Sequence, residues 1–291
     1  MPLVTTAALV SSAVSDRRGV AAFNVITLEH AEAVAAGAES AGSPAILQIS
    51  ENAVRFHGGR LAPIAAATAA VAAASSAPLA LHLDHVVSRE LLYAAEASGF
   101  SSVMFDASKL PYEENLAATA DAVRWGHERG IWVEAELGRV GGKDGEAPLD
   151  AHAPGVRTDP GEAAAYTAAT GVDALAVAVG SSHAMTTRTA ALDHTLIGAL
   201  RTAVPVPLVL HGSSGVPDDE IRAAIAAGMV KINVGTALNT AFSGAVRAFL
   251  AADGHTVDPR RYLAPAREAM AATVASFLGL LTPAPAGVEA R

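Results

Sequence analysis

Short apolar runs that stop abruptly at a polar side chain recur along this chain, separated by longer stretches with helical spacing, several of them rich in alanine. An apolar run bounded by polar groups reads as a strand buried on both faces, the kind found in parallel sheets. The pattern predicts strands at Val20–Val25, Pro44–Ser50, Pro78–Asp84, Ser102–Asp106, Ile131–Leu137, Asp173–Val179, Pro207–Leu210 and Met229–Val234. Helices are predicted between them at Leu28–Ala41, Arg60–Ser75, Ser88–Ser98, Tyr112–Arg129, Asp193–Val204 and Pro217–Ala227. A further helix opens at Asp159-Pro160, an N-cap acid followed by proline at the first helical position. Eight such cycles predict an α/β protein folded as a (β/α)8 TIM barrel, with a doubly wound open sheet as the alternative on periodicity alone.

A short helix over Thr5–Ser15 is placed to close the bottom of that barrel, and extra C-terminal helices from Pro259 onward pack outside it or against another subunit. Residues 1–280 then form one domain, and residues 281–291, with Pro283-Ala284-Pro285-Ala286-Gly287, a loose tail. In a barrel the chemistry sits on the loops after the strands. Asn24, Ser50, Asp84, His85, Asp106, Glu136, His183, His211 and Asn233 all fall at or near predicted strand ends.

The strand ending Leu81-His82-Leu83-Asp84-His85 delivers an acid beside an imidazole, and strand alternation sends the two to opposite faces. Taken alone, this is equally well a strand cap with a solvated acid. Two other apolar strands also run into histidines: Ala174–Gly180 into Ser181-Ser182-His183, and Pro207–Leu210 into His211-Gly212-Ser213-Ser214-Gly215. Three imidazoles at the ends of parallel strands are the usual protein part of an open, catalytic zinc site.

Composition narrows the alternatives. The chain has no cysteine, which excludes thiolate ligands and disulfides, so a metal would need histidine and carboxylate. Its 291 residues allow one large barrel core, and the net charge of −9 with scattered acids argues against a nucleic-acid partner. No apolar stretch is long enough for a membrane span, and Leu9–Val14 precedes rather than follows Arg17-Arg18, the wrong order for a secretory signal. A cytoplasmic location is the expectation. The glycine-serine turn Gly212-Ser213-Ser214-Gly215 and the segment Asn233-Val234-Gly235-Thr236 follow the last two strands, where barrels commonly bind phosphate through backbone N–H groups and hydroxyls.

On these and other segments the chain resembles the class II, zinc-dependent ketose-bisphosphate aldolases, the fructose- and tagatose-bisphosphate aldolase family. The matching segments are Ala22–Val25, Leu81–His85, Phe105–Ser108, Val133–Arg139, Gly180–His183, Leu210–Gly215, Lys231–Val234 and Asp258–Leu263. The resemblance implies reversible cleavage of a ketose 1,6-bisphosphate, fructose 1,6-bisphosphate foremost, into dihydroxyacetone phosphate and glyceraldehyde 3-phosphate. It implies zinc on His85, His183 and His211, with Asp84 as general acid/base. It also implies an inner, second divalent position between Asp106 and Glu136, which equally read as acceptors that orient the histidines. A monovalent cation is admitted as well. Gly212, Ser213, Ser214, Asn233, Val234, Gly235 and Thr236 would hold the substrate, with Asn24, Ser50 and the backbone at Ala184 nearby. A homodimer or homotetramer is expected.

The sequence departs from the family at several points. Ala184 stands where a glycine is usual, and Ala107 replaces another. The loop after Gly141-Gly142 ordinarily brings a glutamate that removes a proton from dihydroxyacetone phosphate; alignment puts Asp144 there, with Glu146 two residues on. The second phosphate needs a cation, and Arg188 beyond His183 is assigned, with Arg260 and Arg267 as alternatives within or across subunits. Gly235 leaves the discrimination between fructose and tagatose loose. A Schiff-base mechanism needs a lysine at a strand end, but Lys109 and Lys143 lie in predicted loops and Lys231 at the wrong end of its strand. Two alternatives remain: a tagatose-bisphosphate or sugar-acid phosphate aldolase with the same mechanism, and a barrel that binds zinc and sugar phosphate without turnover.

Overall fold

The computed structural model describes residues 3–138, 140–142 and 155–281. Eight parallel strands close into a barrel in sequence order: β1 (Val20–Asn24), β2 (Ala45–Ser50), β3 (Leu79–Val86), β4 (Ser102–Phe105), β5 (Trp132–Leu137), β6 (Ala174–Val177), β7 (Leu208–Leu210) and β8 (Met229–Val234). Pairing of β1 with β8, Val20 opposite Lys231 through Phe23 opposite Val234, closes the cylinder and excludes the open doubly wound sheet.

Helices α1 (Thr6–Ser15), α2 (Leu28–Ala41), α3 (Glu51–Phe56), α4 (Leu61–Ala74), α5 (Arg89–Ala94), α6 (Tyr112–His127), α7 (Pro160–Thr170), α8 (His194–Ala203), α9 (Asp218–Ala227), α10 (Thr236–Ala252) and α11 (Pro259–Leu280) complete the described chain. Their boundaries follow local chemistry. Asp159 caps α7 by accepting from the Glu162 N–H at 2.9 Å, and Pro160 supplies the preset first-turn φ. The short α3 was not expected; Ser50 ends β2 and caps α3 at once, its Oγ accepting from the Ala53 N–H at 3.2 Å.

Alternation along each strand divides its residues between the helix layer and the lumen. Leu81 and Leu83 of β3, Ile232 and Val234 of β8, and Leu47 and Ile49 of β2 pack outward against the helices. The lumen is layered. At its lower end Val20, Ala22, Ile46 and Ala80 pack with Leu9, Val10 and Ala13 of α1, so the first helix plugs the barrel as expected. Above them lies a polar layer of Gln48, His82, Glu134 and Lys231, all buried. The strand ends open above that.

The terminal helix α11 packs within the chain across α2 and α10. Gly37 of α2 permits the close approach, since a Cβ there would lie 2.6 Å from the Ala271 carbonyl oxygen and from Val274 Cβ. Arg267 of α11 pairs with Glu32 of α2.

Candidate active site

Three strand ends deliver the imidazoles to one point. His85 leaves β3, His211 follows β7, and His183 lies in the turn after β6, with ring centroids 4.8 to 5.5 Å apart. Their ligand atoms lie within 4.8 Å of one another. His85 Nε2 and His211 Nδ1 face each other at 3.2 Å. Two nitrogens on one tetrahedral zinc, each about 2.0–2.1 Å from it, would be roughly this far apart. The opposite nitrogen of each ring is held by a carboxylate: His85 Nδ1 by Asp106 Oδ2 at 2.8 Å, and His211 Nε2 by Glu134 Oε1 at 3.1 Å. Carboxylates behind imidazoles fix tautomer and ring direction in metal centres. The donor set therefore fits a zinc ion.

Asp84 and His85 overturn the alternation read from the sequence. Pairing of β3 with β4 shifts register between Leu83 and Val86, and His85 takes φ +49°. This bulge adds a residue to β3, so both side chains line the same cleft, with Asp84 Oδ2 4.0 Å from His85 Nε2. Asp84 is almost wholly buried, and its Oδ1 has no hydrogen-bond partner among the described residues. Burial raises its pKa, opposed by the nearby His85 and Lys231 charges.

The cleft has a volume of about 270 Å³. Of the expected residues, Asn24, Ser50, Asp84, His85, Asp106, His183, Ala184, Gly212, Ser214, Asn233, Gly235 and Thr236 line it. His211 and Glu136 lie buried behind that lining; Glu136 Oε2 is 3.7 Å from His211 Nδ1, and His85, Asp106 and Glu136 form a second group able to hold a cation. Ser213 turns inward to the Leu210 carbonyl at 3.2 Å, and Val234 packs in the outer core. Asp144 and Glu146 lie outside the described residues.

Arg188 is elsewhere. Its guanidinium donates to the Val216 carbonyl at 2.6 and 2.8 Å, pairs with Asp218 and stacks over Phe277, and it does not line the cleft. Arg260 pairs with Asp258 and Arg267 with Glu32. Among the described residues, the cations that line the cleft are Arg55 and Lys109, neither of them expected. Lys231 also differs from expectation: it is the third residue of β8, its side chain lies in the lumen, and its ammonium is enclosed 2.8 Å from both Glu134 Oε2 and Asn233 Oδ1. So enclosed, it does not line the cleft, where a Schiff-base lysine would have to reach the substrate carbonyl. Glu134 and Lys231 were visible in sequence as residues two before Glu136 and Asn233, hence on the same strand face.

The left-handed backbone at Ala184, φ +57°, accounts for the glycine usual there. Gly142 is needed at its position, because a Cβ would lie 2.3 Å from the His183 carbonyl oxygen, while the His183 N–H donates to the Gly141 carbonyl at 2.7 Å. Ser214 Oγ accepts from the Ala237 N–H at 3.0 Å, joining the turn after β7 to the start of α10.

The family model for class II fructose-bisphosphate aldolases matches residues 4–284. The chain belongs to that family. It is 40% identical over 275 residues to the fructose-bisphosphate aldolase of Geobacillus stearothermophilus, covering 94% of this chain and 95% of that protein. The probable fructose-bisphosphate aldolase of Bacillus subtilis strain 168 is 41% identical with the same coverage. Among solved structures, the YdjI aldolase from Escherichia coli K12 superposes with a TM-score of 0.82 at 32% identity, covering 96% of this chain and 97% of that one. Class II aldolases are zinc-dependent lyases that act on phosphorylated sugars, in keeping with the histidine and carboxylate groups assembled here. No helix among the described residues is long and apolar enough to cross a membrane.

Proposed function

We propose that this chain is a zinc-dependent class II aldolase that reversibly cleaves fructose 1,6-bisphosphate to dihydroxyacetone phosphate and glyceraldehyde 3-phosphate. The observation that carries the reading is the pair of facing nitrogens, His85 Nε2 and His211 Nδ1, each ring backed by its own carboxylate. His85, His183 and His211 would hold the ion, and a zinc bound there would act as a Lewis acid toward the substrate carbonyl. Asp106 and Glu136 orient this set or hold a further divalent cation; a monovalent cation belongs to the same reading.

Asp84 is the general acid/base. It lies in the cleft beside His85, and burial favours its protonated form, which suits a group that gives and takes a proton at a hydroxyl. Asn233 turns its amide toward the developing negative charge. The backbone and hydroxyls at Gly212, Ser214, Gly235 and Thr236, with Ser50 nearby, take the phosphate of dihydroxyacetone phosphate, supported by their place after β7 and β8. Arg55 and Lys109, in place of Arg188, are the cations available to the second phosphate. Asp144 or Glu146 removes the proton from dihydroxyacetone phosphate. A homodimer or homotetramer in the cytoplasm is part of the proposal.

The test is chelation and metal restoration, with cleavage of both the fructose and tagatose epimers measured. Activity should vanish on chelation and return with zinc, with fructose 1,6-bisphosphate preferred. A borohydride-trapped adduct, or full activity without metal, would sink the mechanism. A tagatose preference of about tenfold, roughly 1.4 kcal/mol in the transition state, would change the substrate alone.

A further inference from the structure

We propose that Lys231 is a positioning residue that fixes which end of the Asn233 amide faces the cleft, an inference that rests on the aldolase reading for its kinetic consequence. Lys231 and Asn233 stand two residues apart on β8, so both project into the lumen, Lys231 in the enclosed polar layer and Asn233 one step nearer the substrate. Lys231 is fully buried. An ammonium has donors and no acceptor, so whatever it touches in an amide must be the oxygen. It donates to Asn233 Oδ1 at 2.8 Å and forms an ion pair with Glu134 Oε2, also at 2.8 Å. The two ends of an amide are nearly identical in shape, and only such bonds decide between them.

The consequence falls on Asn233 Nδ2. It lies 3.0 Å from His211 Nε2, and that same ring nitrogen lies 3.1 Å from Glu134 Oε1. At most one of the two Nδ2 hydrogens is directed at His211 Nε2, whichever tautomer the ring takes. The other Nδ2 hydrogen is left for a ligand in the cleft, which Asn233 lines. One buried cation thus sets two things: it neutralises the carboxylate behind His211, and it turns the donor end of the Asn233 amide away from itself. Neutralising Glu134 alone would require no contact with Asn233.

Neutron diffraction of the wild-type protein reads the orientation directly. Deuterons on the Asn233 atom facing away from Lys231 are expected; deuterons on the atom facing Lys231 overturn the proposal, whether or not the protein cleaves any ketose bisphosphate. The kinetic arm compares Glu134→Gln, which keeps the Lys231–Asn233 bond, with Lys231→Met combined with Glu134→Gln, which removes both charges and that bond. The double variant should keep one zinc per chain by metal analysis and a KM near wild type. Its kcat should fall about tenfold or more below that of Glu134→Gln, in the lower range for a lost oxyanion donor. In an Asn233→Ala background the same pair of substitutions should change kcat no more than Glu134→Gln alone, because the positioned group is gone. Equal kcat for the two variants, or an undiminished further loss without Asn233, would show that Lys231 only balances charge. Should the double variant not fold, the neutron result stands as the deciding one.

Discussion

At the scale of single residues, the groups assigned to chemistry are the ones the fold accommodates least comfortably. Asp84 is buried with an oxygen unsatisfied among the described residues, and its pKa is raised by burial. An acid whose folded pKa lies above its unfolded value costs stability once the pH exceeds the unfolded value, about 3.9. Asp84→Asn should therefore raise the thermal midpoint of metal-free protein at neutral pH, keep its zinc, and lose cleavage by a factor of about 10² or more. Loss of zinc in that variant would reassign Asp84 as a ligand. Ala184 carries strain of a different kind. A left-handed alanine costs about 1–2 kcal/mol, more than the roughly 0.4–1 kcal/mol that glycine loses through the freedom of the unfolded chain. Ala184→Gly should shift the urea midpoint slightly upward; a lower midpoint would show that the Ala184 methyl is packed usefully.

Among elements, the loops that carry the histidines are locked to one another by backbone and not by side chains alone. Gly212, at φ +68°, leaves no room for a Cβ, which would lie 2.5 Å from the Ser182 carbonyl oxygen, and Ser181 Oγ donates to the His211 carbonyl at 2.6 Å. Gly212→Ala should push the turns after β6 and β7 apart, and zinc affinity in a chelator competition should fall along with activity. The start of α3 acts similarly on β3. Glu51 Oε2 accepts from the Val87 N–H at 2.7 Å and the Ser88 N–H at 3.1 Å, just past His85. Burial would raise its pKa, but those N–H groups and Arg55 outweigh it and leave the carboxyl depressed. For a depressed acid the stabilisation is present above the unfolded value, about 4.3, and is lost as the pH falls through the folded one. Glu51→Gln should thus unfold more easily than wild type at pH 7 and converge with it in strong acid. Parallel urea midpoints at both pH values would show that Glu51 contributes through packing only.

For the whole molecule, the three histidines come from the ends of β3, β6 and β7, so an ion held by them ties together segments far apart in sequence. A ligand present at 100 times its Kd adds about 2.7 kcal/mol to the folded state. Chelation should therefore lower the thermal midpoint by roughly 5–10 °C for a domain of this size, and His183→Ala should abolish that difference. An unchanged midpoint would mean that the ion is not bound at this cluster.

The sequence by itself determined a covered parallel sheet with its polar strand ends at one rim, and the pairing of β1 with β8 decided that it closes into a barrel. Apolar runs buried on both faces call for a covered sheet, and in a parallel one every strand ends at the same rim, so His85, His183 and His211 fall on one side of the molecule. What tertiary structure alone decided is where side chains go once register and closure are fixed. The β3 bulge turns Asp84 and His85 to one side, though alternation separates them on paper. Arg188 is drawn to Val216 and Asp218, and Arg55, hidden in the unforeseen α3, reaches the cleft instead. Glu134 and Lys231 look in sequence like charges interrupting two strands, because a buried ion pair acquires its meaning only when a closed lumen brings β5 and β8 to face each other and excludes the water that would otherwise solvate both.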